Sequence, residues 1–308
     1  MPREVAAYTP AFVLTIGTQL VTGPVELMFD IALERHFRIF TIERRGVIWD
    51  SRCVPPLETP VEAHAMFYFV LDGSIVWRTP KEQRFDGPTA FLLHEEAMEG
   101  ASKARSTTLR SWGEPFRALE LRVRSTVVRL GRDQPPTPIE LADRVWSAVR
   151  VYIAAARAHN DHDARVRLAK DVLKALQDEG LILTDLASTI TEDDYLRQRA
   201  WNGLVPYVRK AAFGATLGEL ASTADVSLKQ VSRQMDKLLT FFRLAPMQWR
   251  PLSRRYRLRV AILLLSNPTL AIAEVARVAG YSSAEALTHA FYSEGVPAPT
   301  ELRAAILG

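Results

Sequence analysis

The chain has 308 residues, 48% of them hydrophobic and 24% charged, which is enough for two or three domains with real cores and excludes whole-chain disorder. Its net charge of +4 is uneven, −1 over residues 1–190 and +5 over residues 191–308. The single cysteine, Cys53, excludes an intrachain disulfide and a thiolate zinc site and fits a reducing cytoplasm; it reads as a small buried apolar residue. The first ten residues, MPREVAAYTP, lack the apolar core of a signal peptide, and the longest aliphatic run, Val260–Leu265, is far too short to span a bilayer.

Residues 1–132 read as β-rich. Segment 24–36 is the exception, a predicted helix opening at Pro24. MFYFVLDGSIVWR (66–78) contains two aromatic and β-branched runs around Asp72-Gly73, a hairpin signal. Asp86-Gly87-Pro88 marks a further turn before the apolar run Ala90–Leu93. Short strands with this punctuation suggest a small barrel or sandwich. Trp49, Phe67, Phe69 and Trp77 suit its core better than a ligand pocket.

DQPPTP (133–138) is a Pro-rich break. After it, Leu141, Val145, Val149 and Ile153 form an i, i+4 stripe, and Val166, Leu168, Val172, Leu173 and Leu176 form another. Residues 139–190 therefore read as a helical linker of two amphipathic helices joined by His159-Asn160-Asp161-His162. The stripes suit either a core or a dimerisation surface.

The last third repeats itself. Leu217 and Ile272, Glu219 and Glu274, Leu220 and Val275, and Ala221 and Ala276 are each 55 apart; past the turn the offset is 56, as in Ser227 and Ser283, Val231 and Leu287, Met235 and Phe291. Segments 215–239 and 270–295 each read as a short helix, a tight turn and a second helix, which is the helix-turn-helix layout. Asp225 and Gly280 suit a left-handed turn position, and Ser227 suits an N-cap. Burial of Val231, Met235 and Leu238 leaves Lys229, Ser232, Arg233 and Asp236 outward, with Gln230 flanking. Arg233 and Lys229 suit guanine and Gln230 suits adenine. In the second copy Leu287, Ala290 and Phe291 face inward. Ala284, Glu285, Thr288 and His289 face outward, a surface poorer in long donors.

Between the copies lies a predicted helix, Leu252–Ser266, with an inner face of Leu252, Tyr256, Val260, Leu263 and Leu264. At ~1.5 Å per residue it is long enough, with its flanking turns, to hold two recognition helices about one DNA turn apart. Arg250, Arg254, Arg255, Arg257 and Arg259 crowd this segment with Arg243 and no acid. Such a cluster is either a phosphate-contacting surface or a solvated helix face.

These residues resemble the DNA-binding domain of AraC/XylS-type transcription regulators over residues 194–308. The likeness is carried by Leu220-Ala221, Ser227…Val231…Arg233, Pro246…Trp249, Ala261…Leu264-Leu265, Ile272-Ala273-Glu274-Val275-Ala276, Gly280-Tyr281-Ser282-Ser283, Phe291 and Pro299…Arg303. The chain departs from the family pattern at His289, where arginine is usual, at Gly295, one position early, and by about three extra residues, Pro251 among them, between Pro246 and Ala261. The hairpin and turn signals of residues 1–132 loosely resemble the family's cupin-like sensor domains.

The resemblance implies a multidomain chain: a β-rich cupin-like barrel or sandwich, a helical linker and an all-α domain with two helix-turn-helix motifs. It implies base contacts from Lys229, Gln230, Ser232, Arg233, Glu285, Thr288 and His289. Phosphate contacts would come from Ser227, Arg250, Arg254, Arg255, Arg257, Arg259, Ser282 and Ser283. Double-stranded DNA, a small-molecule effector, RNA polymerase and a second copy of the chain are the implied partners. No catalysis, cofactor or metal is expected. Two rival readings remain: a metal-dependent cupin enzyme, for which His36, His64 and His94 would have to converge, and a helical protein-interaction module.

Overall fold

The computed structural model describes residues 14–51, 53, 63–78, 82–94, 108–129, 136, 138–158, 162–189, 216–245 and 247–308. Residues 194–215, expected to open the C-terminal domain, and Pro206 and Pro246 lie outside them. The N-terminal region is an antiparallel sheet and the C-terminal region is helical.

Eight strands form one sheet among the described residues: β1 (Leu14–Thr22), β2 (Val25–Leu33), β3 (Phe37–Arg45), β4 (Trp49–Asp50), β5 (His64–Arg78), β6 (Glu82–Asp86), β7 (Thr89–His94) and β8 (Thr108–Arg124). Their order is β1-β2-β3-β8-β5-β6, with β4 also on β8 and β7 also on β5. Every pairing is antiparallel.

Two sequence expectations are corrected here. Segment 24–36 is not a helix: Val25 opens β2, whose Val25, Leu27, Phe29 and Ile31 recur at period two, and Gly23-Pro24 belongs to the turn before it. Asp72-Gly73 is not a hairpin turn but lies inside the continuous strand β5. The register with β8 shifts between Val70 and Ser74, and the strand continues. Gly73 has φ +83°, and a Cβ there would lie 2.5 Å from the Trp112 carbonyl oxygen. Glycine serves close approach of two strands there, which local pattern does not distinguish from a turn. The Gly87-Pro88 turn lies where expected, between β6 and β7.

The sheet is apolar on both faces. Ala65, Phe67 and Phe69 of β5, with Leu119, Leu121 and Val123 of β8, face one core. Met66, Tyr68, Val70, Ile75 and Trp77, with Phe116 and Ala118, face a second. The first is covered by α1 (Asp143–Arg157) and α2 (His162–Asp178). Both predicted stripes are spent there: Val145, Val149, Ile153, Val166, Val172, Leu173 and Leu176 are buried against the sheet, and Phe69 meets Trp146 edge-on at 6.1 Å. Residues 139–158 and 162–189 thus extend the N-terminal core. Phe67, Phe69 and Trp77 are core residues, as read, while Trp49 and Cys53 are half-buried against the C-terminal helices.

A buried ion pair fixes α2 to the sheet. Asp30 of β2 accepts from Nη2 of Arg165, with side chains 2% and 6% exposed. Desolvation lowers the Arg165 pKa to about 10. Arg157 reaches Glu43 at 3.7 Å nearby. Losing one member of a buried pair strands a charge. Asp30→Asn or Arg165→Leu is expected to lower the unfolding free energy by about 3–5 kcal/mol, and the double variant Asp30→Leu/Arg165→Leu to recover most of that loss. Urea titration of the four proteins measures both quantities.

Candidate nucleic-acid interface

Six helices occupy the described C-terminal residues: α3 (Leu217–Ala224), α4 (Leu228–Phe241), α5 (Trp249–Leu265), α6 (Ile272–Val278), α7 (Ala284–Ser293) and α8 (Pro299–Leu307). α3–α4 and α6–α7 are two pairs joined by the same turn. The N–H of Val226 donates to the Ala221 carbonyl at 3.0 Å, and the N–H of Tyr281 donates to that of Ala276 at 2.8 Å. Asp225 and Gly280 take left-handed φ values of 52° and 81°. This is a Schellman-type helix end, which satisfies carbonyls the helix leaves open. The sequence repeat is therefore also a repeat of backbone hydrogen bonds.

Each outer helix starts on a serine cap. The Ser227 hydroxyl accepts from Gln230 N at 3.3 Å, and Gln230 Oε1 accepts from Ser227 N at 2.9 Å and from its hydroxyl at 3.0 Å. Ser283 Oγ accepts from Ala286 N at 3.2 Å. Thr216 and Glu219 form a capping box at the head of α3.

The outward face of α4 carries Lys229, Ser232, Arg233 and Asp236, all exposed, while Val231 and Met235 are buried. The Leu238 side chain lies outside the described ones. Gln230 is exposed, but its carbonyl oxygen is engaged by Ser227. Bidentate adenine pairing needs both ends of the amide, so in this conformation only its Nε2 is open. On α7, Leu287 and Phe291 are buried, and Glu285 and His289 are exposed. The Ser283 hydroxyl bonds the Glu285 carboxylate and lowers its pKa. Thr288 Oγ1 donates to the Ala284 carbonyl at 2.9 Å. Ser282 is exposed beside the cap.

The arginine run divides. Arg254 Nη2 donates to the Ser293 carbonyl at 3.2 Å and pairs with Glu294. Arg257 Nε donates to the Ala279 carbonyl at 3.0 Å, its Nη2 to that of Gly280, and its guanidinium lies 4.0 Å from the Tyr281 ring centroid. The Arg259 guanidinium lies 4.8 Å from the Trp49 ring centroid. Arg250 is exposed and Arg255 half-buried. Of the five arginines read as phosphate contacts, three make contacts within the chain. Desolvation raises the Tyr281 pKa, opposed by Arg257 and Arg254.

α5 spans both pairs, and its inner face is wider than the five predicted residues. Trp249, Leu252 and Tyr256 pack on the first pair. Leu258, Ala261, Ile262, Leu264 and Leu265 pack on the second. Arg303 of α8 ties the junction by donating to the carbonyls of Leu265 at 3.1 Å and Leu270 at 2.6 Å.

Sequence reasoning missed the contacts from sheet to helices. The Ile48 N–H donates to Ser266 Oγ at 2.8 Å, Asn267 Nδ2 to the Gly46 carbonyl at 2.7 Å, and Thr22 Oγ1 to Glu274 Oε1 at 3.2 Å. Arg110 Nη2 donates to the Ile306 carbonyl at 2.7 Å, and Arg38 Nη2 to that of Phe242 at 3.1 Å. Val25, Leu27 and Val47 join the core of the second pair. No local pattern announces such long-range partners. The three histidines do not converge on one face. His94 stands opposite Ala65, so it shares that face, while His64 precedes Ala65 and takes the other. His36 Nδ1 lies 3.2 Å from Arg124 Nη2.

No family model and no curated protein matches the chain. Among solved structures it is similar to ToxT from Vibrio cholerae strain SCE256 with bound unsaturated fatty acid (13% identity, 88% of this chain and 96% of that one, TM-score 0.33). It is likewise similar to ToxT from Vibrio cholerae O395 (11%, 89% and 100%, TM-score 0.33) and to the AraC-like transcriptional activator CuxR (10%, 92% and 80%, TM-score 0.24). CuxR bears the family name that residues 194–308 suggest. At these scores the likenesses carry no argument about function, which is left to the residues.

The inward arginines and the outward ones separate experimentally. Arg257→Ala is expected to lower the unfolding free energy by about 1–3 kcal/mol through two lost charge-assisted hydrogen bonds. Arg250→Ala is expected to leave the urea midpoint where it is.

Proposed function

We propose that the chain is a sequence-specific DNA-binding transcription regulator of the AraC/XylS type, controlled by a small molecule held in its N-terminal sheet domain. The observation that carries this reading is the duplicated turn, Val226 on Ala221 and Tyr281 on Ala276, each followed by a serine-capped helix with a polar outer face. On this reading α4 and α7 enter successive major grooves as recognition helices. The domains are those read from the sequence, with residues 139–190 attached to the sensor. A second copy and RNA polymerase complete the set of partners.

Base readout falls chiefly to α4. Arg233 and Lys229 are long exposed donors, and an arginine makes a two-bond contact with guanine O6 and N7. Glu285, Thr288 and His289 offer less reach, so the second helix contributes mostly through Ser282, Ser283 and its own N-terminus at the phosphates. Arg250 and Arg255 supply the salt-sensitive part of affinity.

Fragments selected by binding from the source genome provide the specific site. On it, Arg233→Ala is expected to cost about 1–3 kcal/mol and to relax preference at one base pair. Equal weakening on random duplex would make Arg233 a phosphate contact. Failure of the whole chain to select any fragment at low salt would leave the protein-interaction reading.

Arg255→Ala is expected to weaken all sequences alike and to flatten the plot of log affinity against log salt by up to about one unit. Fluorescence anisotropy across a salt series reads this slope, and an unchanged slope removes Arg255 from the interface.

A further inference from the structure

The two outer helices differ where the repeat aligns them. Past the turn the copies are offset by 56, so Lys229, Ser232, Arg233 and Asp236 of α4 correspond to Glu285, Thr288, His289 and Tyr292 of α7. Tyr292 stands three residues beyond His289, four beyond Thr288 and seven beyond Glu285, so it continues the outward face of α7 into its last turn. It is 63% exposed, more than any other large apolar side chain among the described residues. The first helix carries a carboxylate at this position and the second a phenol.

An exposed tyrosine alone is an ordinary surface residue. The setting distinguishes this one. A helix C-terminus carries partial negative charge, and Glu294 stands two residues on, so this end of α7 should repel an anion. Arg254 offsets both effects. From α5 it pairs with Glu294 and donates to the Ser293 carbonyl at 3.2 Å and to the Ser293 hydroxyl at 2.8 Å. The end of α7 is thereby neutralised beside a neutral hydroxyl donor.

Length supplies the partner. Nine residues separate the Ser283 cap from Tyr292, roughly 13 Å of helix at ~1.5 Å per residue. The major groove is ~12 Å wide. A helix laid across it with the capped end at one strand's backbone brings its last turn to the backbone of the other strand.

We infer that Tyr292 donates its hydroxyl to a phosphate on the far strand of the groove that α7 enters, so that α7 holds the duplex backbone at both ends. The inference rests on the reading of α7 as a groove-entering helix and assigns that helix its task. Exposed Ser282 and the helix N-terminus hold one strand and Tyr292 holds the other. The side chain between them, Thr288, is turned to the Ala284 carbonyl. Asp236, the counterpart on α4, has the charge of a phosphate and is excluded from such a contact. The Tyr292 contact is neutral, so it adds affinity without displacing counterions and does so on every sequence.

The test is binding of the full chain to labelled duplex, read by fluorescence anisotropy on a genome-selected fragment and on random duplex. Tyr292→Phe and Tyr292→Lys change an exposed side chain and are expected to keep the wild-type urea midpoint. Tyr292→Phe is expected to weaken both duplexes alike, by roughly tenfold, with an unchanged slope of log affinity against log salt. Tyr292→Lys is expected to steepen that slope by up to about one unit, because its ammonium replaces a counterion at the same phosphate. A neutral methylphosphonate placed at single positions of the selected fragment is expected to find one phosphate whose replacement weakens wild type and leaves Tyr292→Phe unaffected. The inference is overturned if Tyr292→Phe binds both duplexes as wild type does, or loses affinity for the selected fragment alone. It is also overturned if Tyr292→Lys leaves the slope unchanged or if no phosphate couples to Tyr292. Each of these outcomes leaves the regulator reading standing, because duplex binding by wild type is their baseline. A wild-type chain that binds neither duplex at low salt overturns both.

Discussion

At the junction of the two halves one side chain makes contacts on both sides. Asn267, 7% exposed at the end of α5, donates its amide to the Gly46 carbonyl, while its oxygen accepts from the Thr269 N–H at 2.9 Å and from the Thr269 hydroxyl at 2.6 Å. The amide therefore holds the sheet turn and shapes the entry to α6 at once. Gly46 is suited to this contact on two counts. Its φ is +68°, and a Cβ there would lie 2.7 Å from the Pro24 carbonyl oxygen and 3.2 Å from the Asn267 amide nitrogen. The contact needs a backbone with no side chain. Glu114 fixes the other side of the same glycine by accepting its N–H at 2.9 Å.

Charge is used in two ways along α5. Arginines directed along the helix surface cap carbonyls at the ends of α6 and α7 or cover aromatic rings, so they replace water at groups that helix termini leave open. An arginine so placed contributes to the shape of the second pair and adds little to a phosphate surface. Three of the five arginines of α5 are placed in this way. On the proposed reading this predicts a shallow salt dependence for a chain with six arginines between Phe241 and Val260.

The C-terminal half was legible because its determinants are local. A left-handed residue, a serine cap and a 3.6-residue apolar period lie within about twenty residues of one another, and two copies allow each to check the other. The sheet was less so. β5 is buried on both faces, so the alternation that marks a half-solvated strand is blurred there, and Pro24 and Gly73 read as local signals when their reasons are tertiary. The stripes of α1 and α2 were plain, but whether they met a sheet or a second copy depends on a surface far away in sequence.

Among the described residues the two helix pairs are held unequally, and this bears on how a regulator of the proposed kind would work. The second pair is bound to the sheet through Asn267, Ser266, Glu274 and Ile306 and shares an apolar core with Val25, Leu27 and Val47. The first pair packs on the N-terminal half of α5 and meets the sheet where Arg38 reaches the Phe242 carbonyl. The better-anchored pair has the poorer reading surface, with Thr288 and Glu285 turned to their own helix. The less-anchored pair has the long donors Lys229 and Arg233. On the proposed reading, a sensor that grips the second pair sets where the complex sits, and the angle of α5 decides whether the first pair reaches its bases. Control then requires only a change in that angle, a rigid-body adjustment about a packed junction, with both turns left intact.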